Sequence, residues 1–180
     1  MDIKSYEDLL NPALKGKIDT ADPANSSSAF AQLTNILLAK GGYDNDKAWA
    51  YVEDLIKQWD GKIQSGSSAV YKSVVEGEMY VGLTYEDPVA KLVKDGASNV
   101  EIVYPTEGSV FLPAGTGIIK GAKNLENAKK FVDFLLTEDV QKIFGTELTN
   151  RAVRKGIESA DYMKPFTEIP LIFEDMEYIT

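Results

Sequence analysis

Three times between residues 17 and 95 a β-prone run ends in a polar turn from which a helical pattern starts. Residues 17–21 read as a short strand, followed by Asp22-Pro23-Ala24-Asn25-Ser26-Ser27-Ser28-Ala29-Phe30. Phe30, Leu33, Leu37 and Leu38 then recur at helical spacing, with Thr34 on the same face, which predicts a helix over about 27–40 stopped by Gly41-Gly42. Residues 62–64 read as a brief second strand; Ser65-Gly66-Ser67-Ser68 follows and opens a helix over 69–76 carrying Val70, Val74 and Val75. Residues 79–84 form a continuous β-rich run, expected to be a strand buried on both faces. The loop Tyr85-Glu86-Asp87 ends it, and Pro88 suits the first turn of a helix over about 88–95. Strand, turn and helix in repetition constrain the chain to the α/β class: a mostly parallel sheet flanked by helices.

The remaining segments fit around that frame. Ser5 caps a short helix that ends before Asn11-Pro12. A helix from Asp44-Asn45-Asp46 keeps Ala48, Val52, Leu55, Ile56 and Trp59 in one apolar stripe. Residues 99–104 read as a further strand. Beyond Pro105 the pattern changes: 110–119 is strand-like but interrupted by Pro113, Gly115 and Gly117, as suits an edge or crossing segment. Ala128, Phe131, Val132, Leu135 and Leu136 mark an amphipathic helix; Thr137-Glu138-Asp139 interrupts it, and 140–144 continues helically. Residues 157–180, with Tyr162, Phe166, Phe173 and Tyr178 around Pro165 and Pro170, read as a short helix and a surface-hugging tail.

In open parallel sheets ligands bind beyond the carboxyl ends of the strands, where the three polar turns fall. One N-cap needs one short polar side chain, yet Asn25, Ser26, Ser27 and Ser28 come in a row. Unpaired first-turn N–H groups and the helix dipole attract anions there. Ordinary turn chemistry accounts for each cluster singly, and both readings stay open on the residues alone.

Composition removes several classes. Lys and Arg total 19 against 28 Asp and Glu, so a net charge of -9 argues against nucleic acid or an anionic membrane as main partner. The chain holds no cysteine and no histidine, hence no disulfide, no zinc–thiolate site, no cysteine nucleophile and no imidazole base. No P-loop, Gly-x-Gly-x-x-Gly or Gly-x-Ser-x-Gly run is present. Glu86 and Asp87 are a carboxylate pair of the kind used in acid–base or magnesium chemistry, although adjacent acids in a loop are more often simply solvated. No apolar run approaches the roughly 20 residues that cross a bilayer. No signal peptide is legible at Met1-Asp2-Ile3-Lys4, as expected of a cytosolic chain or of a mature or truncated one.

Five stretches, in order, carry a family resemblance: Asp8-Leu9-Leu10-Asn11-Pro12-Ala13-Leu14-Lys15-Gly16-Lys17-Ile18; Asp22 to Phe30; Ser67-Ser68-Ala69-Val70-Tyr71; Gly77 to Asp87; and Lys120 to Leu136. Together they resemble the second half of extracellular solute-binding proteins of ABC importers, in the group that includes ferric-ion, phosphonate, thiamine and sugar-phosphate binders. The resemblance implies two α/β lobes joined by a hinge, with solute held between them and no catalysis. It implies that residues 1–107 form the second lobe, that 108–150 cross back to pack on a first lobe missing from this chain, and that 151–180 return as a tail.

Carried over by position, Ser27, Ser28 and Ala29 match the helix start that holds an anion or phosphate, with Asn25 and Ser26 beside them. Ser67 matches a polar ligand contact, with Ser68 next to it. Tyr85, Glu86 and Asp87 match the loop that supplies metal ligands in ferric binders. Those binders use two adjacent tyrosines, and this chain departs from them with Asp87-Pro88 at the nearest positions, so a ferric site of the tyrosine-pair kind is not expected, nor is a metal or cofactor. The carboxylates suit hydroxyls or an amine, with Glu107 as a partner from the neighbouring loop, and a phosphorylated small molecule would use both halves of the site. A ferric-ion binder of the same family, and a metal-dependent α/β enzyme using Glu86 and Asp87, are the alternatives. The implied partners are the solute, the first lobe and an ABC permease, with an extracytoplasmic location, periplasmic or lipid-anchored. Val110, Phe111, Leu112, Ile118, Ile119, Phe131 and Leu135 would lie uncovered in one lobe alone, so dimerisation or segment exchange through 110–136 is expected.

Overall fold

The structure is a computed structural model and describes residues 2–174 and 177. Tyr178, expected in the tail, lies outside the described residues. The chain divides into two compact units, Met1–Phe111 with Ile169–Thr180, and Leu112–Glu168.

In the first unit β1 (Ile18–Asp19) pairs in parallel with β2 (Val81–Gly82), Ile18 opposite Val81 and Asp19 opposite Gly82. On the other side of β1, Ala21 makes a parallel bridge with Gln64. Each extended piece leads into a helix: α1 (Ser27–Ala39) after β1, α3 (Ser67–Val75) after Gln64, and α4 (Glu86–Lys94) after β2. Parallel strands need such a crossover to return to the same edge, which explains the alternation in the sequence. Between α1 and the Gln64 segment, α2 (Asp46–Trp59) is capped by the Asn45 side chain, which accepts from the Lys47 N–H. Leu14, Ile18 and Leu55 are fully buried in the core. Tyr6, Leu9, Ile36, Leu37, Ala48, Tyr51, Val52 and Trp59 pack around them. Each such large apolar side chain contributes about 1.5–3 kcal/mol relative to an exposed one.

Several expectations need correction. The run at 79–84 forms a strand over Val81–Gly82 alone, and both residues are half-exposed, so it is not buried on both faces. At 62–64 Gln64 makes the bridge while Ile63 is exposed. Residues 99–104 form no strand: half-buried Val100, Ile102 and Tyr104 alternate with exposed Glu101 and Val103, but no strand pairs with them among the described residues. Strand propensity needs a ladder partner to become a strand. In the α2 stripe Ile56 is exposed and Tyr51 takes its place inside; in α1 Phe30 is exposed and Asn35 and Ile36 are buried. Ser5 does not precede a full α-helix but a 3-10 turn at Glu7–Leu10, where Ser5 Oγ accepts from the Asp8 N–H and Asp8 Oδ2 accepts from the Ser5 N–H.

The second unit holds α5 (Leu125–Leu135) and α6 (Glu138–Thr146). Gln141 of α6 is buried; its Nε2 donates to Leu135 O at 2.8 Å and its Oε1 accepts from the Val153 N–H at 2.8 Å, joining α6 to the end of α5 and to the following loop. Val140, Ala160 and Met163 are buried here. Among the described residues α5 buries none of its own. Residues 110–119 form no strand, and 112–119 are exposed. The helix expected in the tail is a 3-10 turn at Phe166–Glu168.

Candidate functional site

Asp22 builds the turn into α1. Its Oδ1 accepts from the Ala24 N–H at 2.9 Å and its Oδ2 from Asn25 Nδ2 at 2.6 Å, while its carbonyl accepts from the N–H groups of Asn25 and Ser26. Asn25 therefore serves the turn. Ser26 is the N-cap, its Oγ accepting from the Ala29 N–H at 3.4 Å and lying 3.1 Å from Ser28 Oγ. Ala29 is buried and its N–H is occupied by that cap. Ser27 is exposed, Ser28 half-exposed, and helix geometry gives neither N–H an intrahelical acceptor.

α3 starts differently. Its N-cap is Gly66, with no side-chain cap, so Ser67 and Ser68 bring first-turn N–H groups and free-standing hydroxyls. The start of α4 is capped by Tyr85 in extended conformation, and Glu86 and Asp87 are its first two residues rather than a loop before it. Their charges already complement the positive end of that helix. The Glu86 carboxylate also accepts a hydrogen bond from the Tyr104 hydroxyl.

Three local contacts gather these helix starts at one edge of the sheet. The Gln64 N–H donates to Thr20 O at 2.8 Å and the Asp22 N–H to Gln64 O at 3.1 Å, so the turns into α1 and α3 leave from paired strand ends. Ala21, Ala29 and Val70 form a small buried cluster joining the end of β1, the first turn of α1 and α3. Gln32 of α1 donates from Nε2 to Thr84 O at 2.5 Å, holding α1 against the end of β2. Gly82 lets β2 lie directly on α3: a Cβ there would meet Val70 Cγ1 and Val74 Cγ2 at 3.1 Å and Val70 O at 3.2 Å.

The resulting edge is electrically two-sided. The first turns of α1 and α3 contain no acidic residue, and that of α4 contains two. No lysine or arginine lies within residues 18–29, 63–71 or 80–90. An anion at α1 and α3 would thus be held by neutral N–H and O–H donors, with carboxylates alongside to take hydroxyls or an amine. Among the described residues no three His, Cys, Asp or Glu side chains converge as a metal site.

Glu107 is not part of this edge. It accepts from the Tyr6 N–H at 3.1 and 3.2 Å and from Lys40 Nζ at 3.1 Å. Lys40 is the C-cap of α1 and Ser26 its N-cap, so the two ends of the helix lie about 20 Å apart at 1.5 Å per residue. A small solute cannot span them. The Glu107 carboxyl sits below its ordinary value: partial burial works against the charge, but its own N–H, Lys40 and the Tyr6 N–H more than offset it.

Sequence reasoning passed over Asp19, Gln64 and Ser73, which lie beneath the site. Asp19 is fully buried; its Oδ2 accepts from Ser73 Oγ at 2.6 Å and Gln64 Nε2 at 2.9 Å, and its Oδ1 from the Thr20 N–H at 3.1 Å. The available signal was a lone carboxylate inside a run read as a short strand.

Residues 1–171 match the family described as "Bacterial extracellular solute-binding protein". "Iron uptake protein A1" of Synechocystis sp. is 28% identical over 167 residues, covering 87% of this chain and 45% of the relative. The "Spermidine/putrescine-binding periplasmic protein" of Salmonella typhimurium is 29% identical over 162 residues, covering 85% of this chain and 44% of the relative. The chain thus spans less than half the length of these curated relatives. Among solved structures, the periplasmic binding protein AfuA from Actinobacillus pleuropneumoniae, with exogenous fructose-6-phosphate bound, superposes with a TM-score of 0.78 at 29% identity. That match covers 96% of this chain and 53% of AfuA.

Proposed function

The chain belongs to the bacterial extracellular solute-binding proteins, and from that premise we propose that it is the ligand-holding lobe of an ABC importer's binding component, working outside the cytoplasm. It takes a small anionic, phosphorylated solute at the starts of α1 and α3, with Ser27, Ser28, Ser67 and Ser68 as donors. Glu86, Asp87 and Tyr85 at α4 face the solute's hydroxyl or amine groups. The lobe performs no chemistry on what it holds. A first lobe closes the site from the other side, and a permease receives the solute.

The observation that carries this reading is the convergence of three helix starts at the carboxyl edge of three adjacent parallel segments. Two of those starts lack acidic first turns, and first-turn N–H groups bind anions without a cation. Similarity to the fructose-6-phosphate-bound AfuA supports the same class. Ferric ion is the second reading, supported by similarity to the cyanobacterial iron uptake protein. Against it, Tyr85 is followed by Glu86-Asp87-Pro88 and not by a second tyrosine.

A thermal-shift screen of the chain, alone and joined to a first lobe, against hexose phosphates, phosphonates, thiamine phosphates, polyamines and ferric ion tests the proposal. A binder present at a hundredfold excess over its Kd stabilises by about 2.7 kcal/mol. The expected result is a rise in Tm with a phosphorylated or phosphonate solute. A shift with ferric ion or polyamine alone rejects the phosphate reading.

A further inference from the structure

We propose that Asp19 is a positioning residue: one buried carboxylate that sets the spacing between the two anion-holding helix starts. The inference rests on the functional reading above. Asp19 lies on β1 with no exposed surface, and three neutral donors hold it. A buried carboxylate is costly unless hydrogen bonds replace its water. A β-branched apolar residue would fill a two-sided buried strand position with no such cost. What the carboxylate adds is direction. The Thr20 N–H bond turns Oδ1 toward the chain that runs into the α1 turn. Oδ2 meanwhile holds Gln64, which immediately precedes the Ser65-Gly66 entry to α3, and Ser73, on the body of α3 itself.

The carboxylate therefore fastens α3 at two points, its entry and its middle, to the strand whose continuation becomes the α1 turn. Above it, Gln64 and the main chain at Thr20 and Asp22 exchange two backbone hydrogen bonds of 2.8 and 3.1 Å. With α3 so fastened, Ser67 and Ser68 stand at a fixed offset from Ser27 and Ser28. An anion shared between the two helix starts depends on that offset, because donors must lie at hydrogen-bond distance to it simultaneously.

The test uses Asp19→Asn and Ser73→Ala, with Ile36→Val in the core as a control. Ser73 touches neither turn, so a merely local packing role would confine its effect to α3. Amide hydrogen exchange is read at Asp22 and Gln64, and affinity is read with inorganic phosphate and fructose 6-phosphate. Both variants are expected to speed the two amides together and to raise Kd by on the order of tenfold, as follows from losing one charge-assisted hydrogen bond. Ile36→Val is expected to change neither. Unaltered exchange at Asp22 and Gln64 in both variants overturns the proposal. So does faster exchange with unchanged Kd. If the wild-type chain binds neither probe, the solute assignment fails, and the exchange result by itself decides whether Asp19 couples the two turns. If Asp19→Asn does not fold, Ser73→Ala carries both readouts.

Discussion

Replacing Lys40 by methionine keeps the aliphatic stem and removes the charge at the far end of α1. The ammonium lies 3.1 Å from Glu107, 2.5 Å from Glu7 and 4.4 Å from the centre of the Tyr51 ring. Side-chain exposure separates the two ion pairs, Glu107 at 20% and Glu7 at 67%. The Glu7 pair belongs to the exposed class, at about 0–1 kcal/mol. The Glu107 pair falls between that class and the roughly 3–5 kcal/mol lost when one partner of a buried pair is removed, and about 1–2 kcal/mol is expected. The cation over Tyr51 adds about 0.5–1 kcal/mol. Lys40→Met should therefore cost about 2–3 kcal/mol at neutral pH, read as a lower urea midpoint at unchanged m.

The cost should depend on pH. The folded-state pKa of Glu107 is depressed, so its contribution is present above the unfolded pKa and is lost as pH falls through the folded one. The stability difference between wild type and Lys40→Met should hold at neutral pH and narrow in acid, below the ordinary carboxylate range, to the part contributed by the cation over Tyr51. Glu107→Gln should lower stability in the same way and leave phosphate affinity unaltered, because it acts at the opposite end of α1. A cost under about 0.5 kcal/mol or a difference that persists undiminished into acid would refute the reasoning. A large affinity loss in Glu107→Gln would return that residue to the solute site.

Gly82→Ala should destabilise by about 1–3 kcal/mol through crowding against Val70 and Val74, and Val74→Ala in the same chain should recover part of it; an unchanged thermal midpoint refutes the close approach. Incubation of the wild-type chain with hexose phosphates and magnesium should release no product. A turnover that vanishes in the Glu86→Gln, Asp87→Asn double variant would make the protein an enzyme. Ile119 is 82% exposed and Phe131 57% exposed, with Leu112, Phe134 and Leu136 also uncovered. Sedimentation should therefore show concentration-dependent self-association of this chain that weakens in Ile119→Lys, Phe131→Glu. A monomer that binds no apolar-surface dye counters that expectation.

The helices were legible because each announces itself locally. The α2 stripe, the Asn45 cap and the Ser26 cap of α1 act within a few residues, so their pattern survives in one dimension. The strands were less legible. Residues 79–84 and 99–104 have similar β-prone composition, yet Val81–Gly82 meets β1 and, among the described residues, 99–104 meets no strand. A ladder is a property of two segments, and propensity describes only one. Glu107 shows the same limit from the functional side. Its charge and loop position suited a solute contact, but pairing with Lys40 across 67 positions put it at the wrong end of α1.

The order of strand, polar turn and helix by itself determined the α/β class and the start of α1, because capping and amphipathic periodicity are local physics; α3 begins at Ser67, inside the turn expected before it. It also excluded thiol and imidazole chemistry outright, since those side chains are absent. Only the tertiary structure decided that Asn25 serves its own turn, that Glu86 and Asp87 begin a helix, and that Glu107 belongs to an ion pair. It alone revealed Asp19 as the buried tie between two turns 45 residues apart at its bond to Gln64. A side chain's type sets which bonds it can make. Which partner it meets is settled when parallel strands bring distant turns to one edge, and that information is spread over the whole first unit.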